Sequence, residues 1–262
     1  MNEMLNLIEN RKSVRVYDKK LLTQEHIDLI IKGAMRAPTA GNMMHYSIIE
    51  VTEQKKKDQL VKTCDNQPFI AKAPLVLLFL ADMQRWYDFF EYSLVPEFCK
   101  EKNLEYRTPQ ESDLLLACCD ALIAAQNAVI TAEALGIGSC YIGDIMENIE
   151  THRIMFDLPN WVFPIVLICF GFPTVDQKNR KLTPRFPKEI IHFKNKYTRI
   201  EGNNFEKILG EHLGGRKNLK LFQNAQNLGQ HYYLRKTGSE FAEEMSRSVK
   251  VAIKDWIREI KK

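Results

Sequence analysis

The stretch Arg11-Lys12-Ser13-Val14-Arg15 carries residue types that bind an oxyanion. In an extended chain, side chains two apart share a face, so Arg11, Ser13 and Arg15 fall on one side while Lys12 and Val14 fall on the other. Two guanidiniums offer forked, charge-assisted hydrogen bonds matched to phosphate, and the hydroxyl between them can serve a third oxygen or a neighbouring sugar. The same five residues also suit a solvated basic run that holds nothing. Further along, Thr183-Pro184-Arg185-Phe186-Pro187 sets an arginine among prolines that keep it extended, a third candidate for phosphate.

Three other stretches suit a ligand-facing surface. Ala37-Pro38-Thr39-Ala40-Gly41-Asn42 is small and turn-forming. Such residues let backbone approach a flat ligand closely, and Asn42 offers both a donor and an acceptor, although an ordinary helix-to-strand connection reads the same way. Gln67, in the polar turn Asp65-Asn66-Gln67-Pro68, faces either a site or water. Tyr141-Ile142-Gly143 closes a glycine-framed segment that begins at Gly136, where a ring could lie on bare backbone or a strand could simply end. These glycines are not the dinucleotide fingerprint, because the third is missing and no strand precedes the first. No acid/base dyad or nucleophile triad stands out. The six cysteines lie scattered without metal-ligand spacing and read as buried free thiols, so neither a catalytic side chain nor a metal site is predicted.

The elements that must position these residues are legible from periodicity. Met4, Leu5 and Ile8 predict a short helix that delivers the chain to the Arg-Ser-Arg stretch. Thr23 caps a second helix with an Ile27, Ile30, Ile31, Ala34 stripe, ended by Pro38. Residues 47–51, 74–81 and 162–171 read as strands, the second covered on both sides, and 136–144 as a short strand framed by glycines. Helices are expected at 53–63, with Lys55 to Lys57 a solvated face, and at 147–156. Residues 112–135 are apolar nearly all round and predict a buried central helix, with Gly136 as a left-handed cap. Past Pro173 the chain turns basic and irregular; its tail carries Phe241, Met245, Val249, Ile253, Trp256 and Ile260 at helical spacing, a stripe suited to wrapping a partner subunit or docking on its own domain.

The bulk composition sets limits. With 262 residues and 45% hydrophobic content the chain can bury a substantial core, and a net charge of +4 is too mild to mark a nucleic-acid binder. No stretch reads as a membrane span or a signal peptide, which gives the expectation of a cytoplasmic protein.

In order along the chain, Arg-Lys-Ser-Val-Arg, Ala-Pro-Thr-Ala-Gly-Asn, the apolar helix ending in Ala-Glu-Ala-Leu-Gly-Ile-Gly, Tyr-Ile-Gly and Pro-Arg-Phe-Pro resemble the FMN-dependent nitroreductase family, and look most like its branch of NADPH-using flavin reductases and oxygen-insensitive nitroreductases. The resemblance implies an α+β fold with a central, mainly antiparallel sheet wrapped by helices. It also implies an FMN-binding core over residues 1–195, a helical C-terminal extension over 196–262, and an intertwined homodimer with FMN at the subunit interface. Carried onto this sequence, Arg11, Ser13 and Arg15 hold the FMN phosphate and ribityl oxygens, and Thr39, Ala40 and Asn42 approach the flavin, often from the other subunit. Gln67 makes a polar contact, Tyr141, Ile142 and Gly143 pack on the isoalloxazine ring, and Arg185 binds phosphate. Two positions depart from the pattern: Met44-His45 replaces a common Gln-Pro, and Thr183 replaces a lysine found in some relatives. The implied activity is hydride transfer from NADPH or NADH through FMN to a nitroaromatic, a quinone or free flavin. A narrow-substrate flavin reductase of the same fold and a non-enzymatic flavin-binding module are the alternatives.

Overall fold

The computed structural model describes residues 2–202, 204, 205, 209 and 220–258. By backbone contact they fall into two compact units, Met1–Arg180 with Glu244–Lys262, and Lys181–Glu243.

The first unit is α+β. It holds strands β1 (Tyr46–Glu50), β2 (Leu75–Asp82), β3 (Gly138–Ile142) and β4 (Val162–Gly171). They form one sheet in the order β1-β2-β4-β3, with every neighbouring pair antiparallel. Along it run helices α1 (Glu3–Asn10), α2 (Gln24–Met35), α3 (Gln54–Thr63), α4 (Phe69–Lys72), α5 (Gln84–Tyr92), α6 (Val95–Glu101), α7 (Glu111–Ala134), α8 (Ile149–Phe156) and α9 (Val175–Asn179). The second unit contains α10 (Leu228–Tyr232), and α11 (Glu240–Trp256) runs from its end back into the first.

β2 and β4 are buried on both faces, which explains why they read as unbroken apolar runs rather than alternations. Leu75, Leu77 and Phe79 of β2, with Val166, Ile168 and Phe170 of β4, meet Ile30 and Ala34 of α2 and the alanine-rich side of α7. Leu78 and Leu80, with Leu167 and Cys169, meet Leu60 and Cys64 at α3 and Ile70 at α4. The sheet therefore carries helices on both faces. Gly33 allows α2 its close approach to α7, since a Cβ there would lie 2.0 Å from the Thr131 hydroxyl oxygen. Pro164, inside β4, coincides with a register shift in which Phe79 faces Val166 and Leu80 faces Pro164. A bulge absorbs the missing donor.

Local signals set the helix ends. The Thr23 hydroxyl accepts from the His26 amide while the His26 ring accepts from the Thr23 amide, a reciprocal cap. At the end of α7, Gly136 has φ of +72°, and the amides of Gly136 and Ile137 donate to the carbonyls of Glu133 and Ala132. This is the cap expected of that glycine.

One open alternative is decided, and two expectations need correction. The stripe of α11 docks on its own chain: Trp256 and Ala252 are buried with Trp161, Phe163 and Leu114, and the Trp161 indole donates to the Trp256 carbonyl at 2.8 Å. Ile260 lies outside the described residues. Lys57 is not part of a solvated face, because its stem is buried and its ammonium donates to the Ala73 carbonyl. α7 is not buried all round: Leu115, Leu116, Leu122 and Ile123 form an exposed apolar face, 68%, 44%, 42% and 41% accessible. By length and composition alone α7 is apolar enough to cross a membrane, a test that a core helix also meets, and its other side forms the core against the sheet.

Candidate functional site

The Arg-Ser-Arg stretch runs extended along the free side of β3, an outer strand of the sheet. Ser13 bridges Ser139 in parallel, and the Val14 amide donates to the Ser139 carbonyl at 2.8 Å. Val14 is buried, and Gly138 is required beneath it, since a Cβ at that position would lie 2.4 Å from a Val14 methyl. The parity inferred from sequence is realised. Lys12 points away and donates to the carbonyls of Lys178 and Arg180, while Arg180 donates to the Ser13 carbonyl. On the other face, Arg15, Ser13 and Arg11 act on the Cys140 thiol. Burial raises the Cys140 thiol above its ordinary range, and Arg15, Ser13 and Arg11 pull against that rise.

The neighbouring groups are laid out around this cradle. Phe69 places its ring 5.8 Å from the Arg15 guanidinium carbon, and the Arg15 backbone amide donates a long hydrogen bond, 3.5 Å, to Gln177 Oε1. Tyr141 donates its hydroxyl to Gln126 of α7 at 3.0 Å, and its pKa is pushed up to about 12 by burial, with Arg11 opposing. Glu133, at the end of α7, is pushed up to about 7 by burial, against the pull of Arg11 and Lys12. Gln67 donates to Asp144, the residue after Gly143, at 2.9 Å. Ile142 is 1% exposed and its side chain belongs to the core, so it can offer a ligand only backbone.

Thr39, Ala40 and Asn42 are held elsewhere. Their loop leads into β1, the other outer strand, so β2 and β4 separate it from the cradle on β3. Asp120 of α7, 2% exposed, accepts from the amides of Ala40 and His45 and clamps both ends of the loop. The Thr39 hydroxyl accepts from the Met44 amide, and Trp86 and Arg85 of α5 donate to the carbonyls of Met43 and Met44. Gly41, Asn42 and Met44 all have positive φ, so the loop is a fixed, strained turn. The His45 ring nitrogen stands 3.3 Å from Asp120 but is not aligned to hydrogen-bond it. Arg185 belongs to the second unit, where its guanidinium donates to the carbonyls of Thr183 and Pro184.

Sequence reasoning passed over Asp120, Cys140 and Asp144 as positioning groups. Asp120 has a visible signal, a carboxylate inside an apolar helix.

The Nitroreductase family model matches residues 8–172. An FMN reductase (NADPH) of Bacillus subtilis is 30% identical over 226 residues, covering 84% of this chain and 87% of that protein. An NADPH-dependent oxidoreductase of Staphylococcus saprophyticus is 28% identical over 93% of this chain and 88% of its own length. The solved structure of the NfrA1 nitroreductase from B. subtilis superposes with a TM-score of 0.75 at 25% identity, over 95% of this chain and 98% of that one. With a matching model across the whole sheet, including the cradle and its supporting strand, the chain belongs to the Nitroreductase family.

Proposed function

We propose that this protein is an FMN-dependent NAD(P)H oxidoreductase that works as a homodimer and passes reducing equivalents, by a ping-pong route, to nitroaromatics, quinones or free flavin. The observation that carries the reading is the cradle: two guanidiniums and a hydroxyl share one face of an extended segment, and among the described residues neither Arg11 nor Arg15 forms an ion pair within 4.0 Å. Such a donor set fits a phosphate monoester. Glu133 opposes it only weakly, because burial lets that carboxyl keep its proton to about pH 7.

Bound there, FMN would supply the hydride chemistry, accepting from a nicotinamide and giving to an electron-poor acceptor. The chain's own contribution is to bind and orient. Arg11, Ser13 and Arg15 would anchor the phosphate end, Tyr141 and the backbone at Ile142 and Gly143 would back the ring, and Gln67 would meet a polar edge. Thr39, Ala40 and Asn42 sit at the opposite sheet edge, so they would serve the flavin held by a second copy, and the apolar face of α7 supports such a pairing.

The test is an anaerobic absorbance spectrum of the FMN-reconstituted protein before and after NADPH. Rapid bleaching of the flavin band is expected; a bound flavin that stays oxidised with both nicotinamides would remove the enzymatic reading. Arg15→Ala should weaken FMN binding by about tenfold or more, the scale of a charge-assisted hydrogen bond. Unchanged flavin affinity in that variant would remove the cradle.

A further inference from the structure

We infer that Asp144 is a positioning residue that orients the Gln67 amide so that its carbonyl oxygen faces a bound flavin as a hydrogen-bond acceptor, with Glu147, on the same tight turn, bearing on Asp144. The inference deepens the flavin reading and rests on it.

The amide geometry carries the first half. Gln67 Nε2 donates to Asp144 Oδ2 at 2.9 Å and to the Cys64 carbonyl at 3.1 Å. An amide nitrogen has two N–H donors, and both are spent here. A flipped amide would set its oxygen against a carboxylate and a carbonyl, two repulsive contacts, so the orientation is fixed by its partners. What remains is Oε1, which no hydrogen bond reaches among the described residues. It can take an N–H and cannot offer one. The imide N–H of an isoalloxazine is a donor of that kind. The turn itself is rigid: Asp65 and Asn66 both have positive φ, 55° and 50°, and the Gln67 amide donates back to the Val61 carbonyl. Two residues on, Phe69 lies beside Arg15, so the acceptor and the basic cradle share one region of the surface.

The second half concerns what keeps Asp144 available. Glu147 is 5% exposed, and its Oε1 has no hydrogen-bond partner. Its backbone amide donates to the Asp144 carbonyl at 3.0 Å, so the two residues stand on one tight turn, and Asp144, Asp65 and Glu244 surround its carboxyl with negative charge. Among the described residues no neighbouring cation relieves this. Arg247 is already engaged by Glu150 and Glu244, and His152 is kept neutral by burial while its ring bonds the Ile145 carbonyl and Thr63. The Cys64 thiol, raised by burial, stays protonated beside them. Glu147 therefore holds a proton to about pH 7, with burial as the largest cause and Asp144 next. Once ionised it repels Asp144.

Titrating FMN into the apoprotein, followed by flavin fluorescence and by the visible band shape, tests both halves. Asp144→Ala should raise the FMN dissociation constant by about tenfold and alter the band shape, the scale of one lost hydrogen bond to a fixed acceptor. Asp144→Asn keeps an oxygen for Gln67 and should stay within about twofold of wild type, a rescue that simple loss of packing would not give. Between pH 6 and 8 the wild-type affinity should fall relative to Glu147→Gln, which cannot ionise. The phosphate of FMN has its own ionisation near pH 6, common to both proteins, so the ratio is what is read. Equal affinity and spectra in wild type and Asp144→Ala would overturn the orienting role, as would Gln67→Ala with unchanged binding. If Asp144→Ala does not fold, Glu147→Gln decides: a pH profile parallel to wild type overturns the coupling. Wild-type protein that takes up no FMN at any pH overturns the flavin reading instead.

Discussion

Glu133 faces the Arg11 guanidinium from the last turn of α7, across a small cavity of about 110 Å³ lined also by Leu7, Ile8, Gln126 and Ile130. Its Oε1 is buried without a hydrogen-bond partner. A carboxylate beside an anion site competes for the guanidinium, whereas a neutral carboxyl does not, so the raised pKa keeps Arg11 available at and below neutrality. The same shift makes a stability statement. The carboxyl titrates from about 7 in the folded chain and from the ordinary 4.5 in the unfolded one, so the folded state holds the extra proton between those values. This contribution is complete below pH 4.5 and is lost as pH rises through 7. Thermal unfolding from pH 5 to 8 should therefore show a midpoint that falls with pH, and Glu133→Gln should flatten part of that fall. Glu147 titrates in the same window and accounts for another part. An identical slope in wild type and Glu133→Gln would show that Glu133 does not hold its proton in the folded protein.

The element that fixes the cradle is the pairing of residues 13–18 with the sheet, through Ser13 to Ser139 and Tyr17 to Pro173. Gly138 makes it work, because the buried Val14 occupies the space where a side chain on β3 would stand. Gly138→Ala should push the segment off β3, cost about 1–3 kcal/mol through overpacking and weaken FMN binding with it. Adding Val14→Ala should recover most of both losses, because the two side chains compete for one space; denaturant unfolding and FMN titration of the single and double variants check this. Extended parity made the facing of Arg11, Ser13 and Arg15 legible in the sequence, as a helix period did for Ile30 and Ala34 and a cap glycine did for the end of α7. Other features were not legible. α5 and α6 carry exposed aromatics, Phe89, Tyr92 and Phe98, that blur any helical stripe. Asp120 and Asp144 act on loops 75 or more residues away in sequence, Asp120 on Ala40 and His45 and Asp144 on Gln67, and such long-range pairing leaves no local pattern. Lys57 looked solvated because a lysine stem and its charge send opposite signals, and only the packed structure shows which end is covered.

At the scale of the molecule, the apolar face of α7 is the feature that one chain leaves unanswered. Leu115, Leu116, Leu122 and Ile123 recur at helical spacing on the side turned away from the sheet, and periodicity could not separate burial inside a chain from burial between chains. α1 adds Met4, Leu5 and Ile8, each about half exposed. A patch of this kind suits the proposed pairing of two copies, which would also bring together the two groups of predicted flavin residues that lie at opposite edges of the sheet. Light scattering of the purified protein should give a mass near twice 30.5 kDa. Ile123→Glu should shift it toward the monomer, since a charge left in an apolar interface costs several kcal/mol. FMN retention should fall in the same variant, because the cradle of one copy would lose the Thr39 to Asn42 loop of the other. The cradle itself should survive, so far-ultraviolet circular dichroism should match wild type while flavin occupancy does not. A monomeric Ile123→Glu protein that holds FMN as tightly as wild type would mean that each chain completes its own site, and the loop before β1 would then need another role.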